Sequence, residues 1–157
     1  MIPLVIDVDR TLADVHWLVE EIGPRAPGSP EEQAAINGVN DRLTSAGWTI
    51  VPGIDSPLAC RGEGRRLFLA HIDTVPDSPG ALDNAGGVAA LLALARNSRA
   101  TDLCLGFPVA EEAGLVGSRE MAARWETLGL APLELVVAAE FIGDGAPTAI
   151  DLWSSWG

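Results

Sequence analysis

Three apolar runs of strand length constrain this chain more than any other feature: RLFLA (66–70), DLCLGFPVA (102–110) and LELVVAA (133–139). Each runs directly into a histidine or an acid, namely His71, the pair Glu111-Glu112, and Glu140. Between them lie two segments with helical character, 83–97 and 117–128. Strand, helix, strand, helix, strand is the rhythm of a mostly parallel sheet covered by helices. Near-continuous apolar strands need cover on both faces. The expected fold is therefore α/β, a three-layer α/β/α sandwich with a mostly parallel, mixed central sheet, and residues 1–157 form a single domain. In such a sheet, side chains that do chemistry collect beyond the carboxyl ends of the strands.

The first half of the chain adds local signals. Leu12, Val15, Leu18, Val19 and Ile22 recur at helical spacing, and Gly23-Pro24 ends that helix. Ser29 has the form of an N-cap, with Pro30 at the first helical position and Glu32 three residues beyond the cap. The spacing predicts a helix from Pro30 to Ser45, stopping at Gly47. Short strands follow at 48–54 and 57–61, and the turn at 61–66 reads as a hairpin. Gly86-Gly87, near the start of the apolar helix, would let another backbone approach closely.

Composition narrows the function. The net charge is −12, and every basic residue apart from the histidines is an arginine, so nothing forms a stripe for phosphate backbones and no nucleic-acid partner is expected. No apolar run approaches the ~20 residues of a membrane span. The N-terminus lacks a basic region and its apolar run is broken by Asp7 and Asp9. No secretory signal is expected, and a cytoplasmic address follows by default. Cys60 and Cys104 lack CxxC spacing and lie in apolar segments, so they are expected as buried free thiols.

The stretch HIDTVPDSPGALDN (71–84) and the pair Glu111-Glu112 together supply an imidazole and several carboxylates. That is the ligand set a hydrolytic metal site needs, with a spare carboxylate to move protons. Each residue has a plainer reading. His71 is also what a satisfied polar residue at a strand end looks like, Asp83 or Asn84 could simply cap the next helix, and the glutamates could be a solvated turn. The plain readings weaken together, because three separate strand ends would have to produce ligands by accident. His16, beside Trp17 on the first helix, is expected to be a surface or partly packed residue.

The segments RAPGSPEEQAAINGVNDRLTSAGW, HIDTVPDSPGALDNAGGVAALLALAR and EEAGLVGSR resemble the M28 family of zinc aminopeptidases, with M20 peptidases as cousins. The resemblance runs from Ile22 to Gly143. It implies that His71 ligates one zinc and that Asp73 stands behind it as an orienting carboxylate. Asp83 would bridge two ions, Glu111 would be the general base, and Glu112 would bind the second ion. Glu140 would complete the shell of the ion held by His71. The implied cofactor is zinc, two ions in a complete site, with manganese or cobalt as substitutes. The implied activity is hydrolysis of a small peptide or aminoacyl substrate.

The chain departs from the family pattern in one respect. The family uses a further histidine downstream of the Glu140 region, and no histidine follows His71 here. Two carboxylates and water hold zinc poorly beside the usual three protein ligands. Three accounts fit: a fragment lacking the usual C-terminal elements, a compact variant completed by another subunit, or a catalytically impaired metal-binding or interaction domain holding one ion or none. Trp153 and Trp156 in the tail IDLWSSWG are suited to covering an open sheet edge or packing on a partner, which leads to an expected homo-oligomer.

Overall fold

The structure is a computed structural model, and it describes residues 5–143. Trp153 and Trp156, on which the expectation of a homo-oligomer rests, lie outside the described residues. No helix among the described residues is long and apolar enough to cross a membrane.

Helix α1 (Val8–His16) opens on Asp7, whose carboxylate accepts the Arg10 N–H at 3.0 Å, and it runs on into a wider, π-helical turn over Trp17–Ile22. The expected inward stripe is only half right: Leu18 is fully buried, whereas Leu12 is exposed. A buried ion network takes the place that Leu12 was expected to fill. Asp14 faces inward and accepts from Arg42 Nε at 3.1 Å and Arg96 Nη1 at 2.6 Å, tying α1 to the two helices beside it. Helix α2 spans Pro30–Ser45 as predicted, with Ser29 Oγ accepting the Glu32 N–H at 3.0 Å. Its buried residues Ala35, Val39 and Leu43 recur every four positions, which places one apolar stripe against the sheet.

Five strands form one sheet: β1 (Thr49–Ile50), β2 (Leu58–Gly62), β3 (Arg66–Leu69), β4 (Asp102–Gly106) and β5 (Leu135–Ala138), in the order β1-β2-β4-β3-β5. Strands β3, β4 and β5 run parallel, and β1 and β2 are antiparallel additions on one side, so the sheet is mixed. The turn at 61–66 does not close a hairpin, because β4 lies between β2 and β3. Leu67 and Leu69 pair with β4 and β5 instead. The central position of β4 explains its unbroken burial from Leu103 to Gly106.

Helix α3 (Gly86–Asn97) buries Val88, Leu91, Leu92 and Ala95 on one face of the sheet together with α2 and the first helix. Helix α4 (Val116–Arg124) covers the other face, where Met121 and Trp125 pack on Leu58, Leu67 and Cys104. The cysteines are not free thiols. Cys60 and Cys104 stand directly opposite each other on antiparallel β2 and β4, with Cα atoms 4.1 Å apart, and are joined by a disulfide. The non-hydrogen-bonded register of an antiparallel pair is what brings two Cα atoms this close. Sequence spacing gave no hint of it, because the pairing depends on strand order.

Candidate metal centre

The loops leaving β3, β4 and β5 converge beyond the carboxyl ends of the parallel strands. His71 lies two residues past β3, Glu111-Glu112 follow β4 after a short loop, and Glu140 lies two residues past β5. Asp83 comes from the turn before α3, and its peptide bond to Asn84 is cis. The cluster contains two overlapping sets of donors, His71 with Glu111 and Glu112, and His71 with Asp83 and Glu140. Within each set, the donor atoms lie within 4.8 Å of one another.

The orientation of His71 is set from behind. Its Nδ1–H donates to the backbone carbonyl of Asp73 at 3.1 Å, which turns Nε2 toward Asp83 Oδ1 at 2.9 Å and Glu140 Oε2 at 3.5 Å. The ring is almost fully buried, while Asp83 and Glu140 are partly exposed, so the cluster opens to solvent on its acidic side. Burial disfavours the charged ring, but hydrogen bonds to Asp73, Glu140 and Asp83 outweigh it and raise the pKa to about 11. An imidazole nitrogen aimed at two carboxylates calls for a cation between them, either a proton or a metal ion. The donor set fits zinc: one imidazole whose other nitrogen is already committed, and carboxylates that have no other cationic partner among the described residues. His71, Asp83 and Glu140 would hold such an ion.

Asp73 stands behind His71, and its carboxylate holds main-chain amides. It is fully buried, its Oδ1 accepts the Glu111 N–H at 2.8 Å, and its Oδ2 accepts the Glu112 N–H at 2.9 Å. Its carboxylate is 3.5 Å from His71 Nδ1, a longer contact than either amide bond. Burial alone would push its pKa up, yet the His71 contact and the two amides hold it below the usual carboxylate range. Glu111 and Glu112 are pushed the other way, first by burial and then by neighbouring carboxylates, with His71 opposing.

Asn84 caps α3 through Oδ1, which accepts the Gly87 N–H at 3.1 Å, while its Nδ2 donates to Ala139 O at 2.7 Å and Glu140 Oε2 at 2.9 Å. Capping therefore falls to Asn84, leaving Asp83 free to face His71. The close approach expected at Gly86-Gly87 is present: a Cβ on Gly86 would collide with the Ile142 carbonyl, and one on Gly87 with the Asn84 side chain. Ala110 and Phe141, which flank the Glu111 and Glu140 positions, both adopt left-handed backbone, with φ of 48° and 51°. Strained residues of this kind gather at functional sites. His16 lies apart, exposed on α1 and paired with Glu20 at 2.9 Å.

Two residues outside the expected ligand and base set support these loops. Arg25 is fully buried and donates to the carbonyls of Ile72 at 2.8 Å and Pro79 at 3.0 Å, as well as to Leu18 and Gly23. It thus pins both ends of the loop that carries His71 and Asp73. Burial lowers its pKa to about 10, opposed by Asp73. Glu32, also buried, accepts the Ala110 N–H. The capping pattern around Ser29 announced Glu32, but not its long-range bond.

The fold and the single-imidazole, carboxylate-rich cluster define a zinc-peptidase-like α/β/α domain. Residues 59–151 match the model for peptidase family M28, more than half of the chain, and the chain belongs to that family. No curated protein matches the chain by sequence. Among solved structures, it is similar to a leucine aminopeptidase precursor from Bacteroides thetaiotaomicron at 22% identity, with a TM-score of 0.73, covering 91% of this chain and 65% of that one. It is also similar to the glutaminyl cyclase of Porphyromonas gingivalis (23% identity, TM-score 0.71, 88% of this chain and 60% of that one). A Zn-dependent exopeptidase from Parabacteroides distasonis aligns at 19% identity with a TM-score of 0.72, over 90% of this chain and 64% of that one. The chain thus spans less than two thirds of the length of each of these structures, and at these identities the likeness shows the fold.

Proposed function

We propose that the chain is a zinc-dependent hydrolase of peptide or amide bonds, of aminopeptidase type, acting on small peptides or aminoacyl compounds. The observation that carries this reading is the convergence of His71, Glu111, Glu112 and Glu140, from beyond the ends of three parallel strands, with Asp83 from the turn before α3, in two donor sets that share His71 and open to solvent on their acidic side. When bound, the metal would supply Lewis-acid polarisation of the scissile carbonyl and would acidify water. Glu111 is the general base: it takes the proton of the attacking water and returns it to the leaving amine. Its raised pKa suits it to both transfers. Asp73 holds the main chain of both glutamates, so that one can face metal while its neighbour handles water.

The ligand inventory favours one firmly held ion on His71, Asp83 and Glu140. A second ion would rest on Asp83 and Glu112 and would need a donor from outside the described residues. A second copy of the chain in a homo-oligomer could supply it. The alternative reading, an impaired metal-binding or interaction domain, is favoured by one observation: the cluster holds a single imidazole, and His16 lies elsewhere, bonded to Glu20.

Hydrolysis of aminoacyl p-nitroanilides with zinc, manganese or cobalt separates the two readings. The Glu111→Gln variant should lose about 10²–10⁴-fold in rate while keeping its metal. Metal uptake without turnover by the parent chain would favour the interaction domain. Disulfides persist in oxidising compartments and are rare in the cytosol, so the Cys60–Cys104 bridge weighs against a cytoplasmic address. Two alkylated cysteines per chain in protein extracted under alkylating conditions, without prior reduction, would restore that address.

A further inference from the structure

The main chain just ahead of Glu111 is held by a residue from the far end of the sequence. Glu32, in the first turn of α2, is only 5% exposed. Its Oε2 accepts the Gly28 N–H at 2.6 Å, a local bond of the kind that caps a helix. Its Oε1 accepts the Ala110 N–H at 3.0 Å, across 78 residues of sequence. Ala110 is left-handed with φ of 48°, a conformation that a residue with a Cβ keeps only when its surroundings enforce it. The next two N–H groups, of Glu111 and Glu112, end on Asp73. Three consecutive donors therefore end on two buried carboxylates, and none of the three joins a strand or helix ladder.

We propose that Glu32 is a positioning residue: by holding Ala110 in its left-handed conformation, it sets the direction in which Glu111 and Glu112 leave β4. The catalytic part of this inference rests on the roles given to that pair above. A capping role alone accounts for the bond to Gly28 and leaves the bond to Ala110 unexplained. The two oxygens of one carboxylate link the start of α2 to the loop that aims the base.

The test is amide hydrogen exchange by NMR on the metal-free chain, with α3 amides as the internal reference for global stability. Glu32→Ala should speed exchange at Ala110, Glu111 and Glu112 by at least about 10-fold relative to α3. Ser29→Ala, which removes only the cap, should leave these three amides as they are in the parent. Glu32→Gln keeps one acceptor oxygen, should fall between, and carries the test if the alanine variant does not fold. Unchanged exchange at Glu111 and Glu112 in the Glu32 variants would overturn the proposal. With zinc and an aminoacyl anilide, Glu32→Gln should lower kcat about 10-fold with KM and metal content held. An equal fall in Ser29→Ala would reduce Glu32 to a cap. A parent chain inactive with every metal would sink the hydrolase reading and leave the clamp to be judged on exchange alone.

Discussion

His71 Nε2 and Asp83 Oδ1 stand 2.9 Å apart, with Nδ1 of the same ring committed to the Asp73 carbonyl. In the metal-free chain the ring keeps a proton in this position, with its pKa raised to about 11. A folded-state pKa above the unfolded value of 6.5 stabilises fully below pH 6.5 and loses that contribution as pH rises toward 11. The chain contains neither lysine nor tyrosine; Arg25, lowered to about 10, also titrates in this range, with the opposite sign and only toward its upper end. The Tm of metal-free protein should therefore fall between pH 6.5 and pH 11, and His71→Asn should flatten that fall. Zinc binding near pH 8 should release about one proton per chain, measured by calorimetry in buffers of different ionisation enthalpy.

Asp73 gives a sharper prediction, because both of its oxygens are occupied and neither can be reached by solvent. Asp73→Asn keeps one acceptor and turns an NH2 group toward the other backbone N–H. We expect a loss of about 2–4 kcal/mol in stability by urea unfolding. A change confined to His71 orientation, with stability untouched, would show that the amide bonds matter little.

Gly86 tests the packing behind Glu140. A methyl group there would collide with the Ile142 carbonyl, which is backbone and cannot rotate away. Gly86→Ala should displace the chain beyond Glu140 and weaken zinc binding by about 10-fold or more, since displaced supports cost metal affinity on that scale. Dialysis against a zinc buffer measures it. Unchanged affinity would mean that the segment yields without moving Glu140.

What the sequence disclosed followed how local each signal was. Helix α2 was legible to the residue, because Ser29, Pro30 and Glu32 act within one turn. His71, Glu111, Glu112 and Glu140 were legible because each ends an apolar run, and the parallel topology brings such ends together. Strand order was not legible: a turn-rich segment at 61–66 looks the same whether it closes a hairpin or leads past an inserted strand. The Cys60–Cys104 bridge was hidden for the same reason, since it needs β4 beside β2. Arg25 and Glu32 act on main-chain atoms far along the chain, and such bonds leave no spacing to read. Leu12 was misplaced because Asp14, held by two arginines, took the inward position on α1.

The most direct test of the metal centre is zinc content at equilibrium for the parent chain and for Asp83→Ala, by dialysis and mass spectrometry of the metal. About one tightly held zinc per parent chain is expected, and its loss in the variant, since three protein ligands are needed for firm binding. No uptake by the parent, or equal uptake by both, would contradict the assignment of His71, Asp83 and Glu140 as a zinc site.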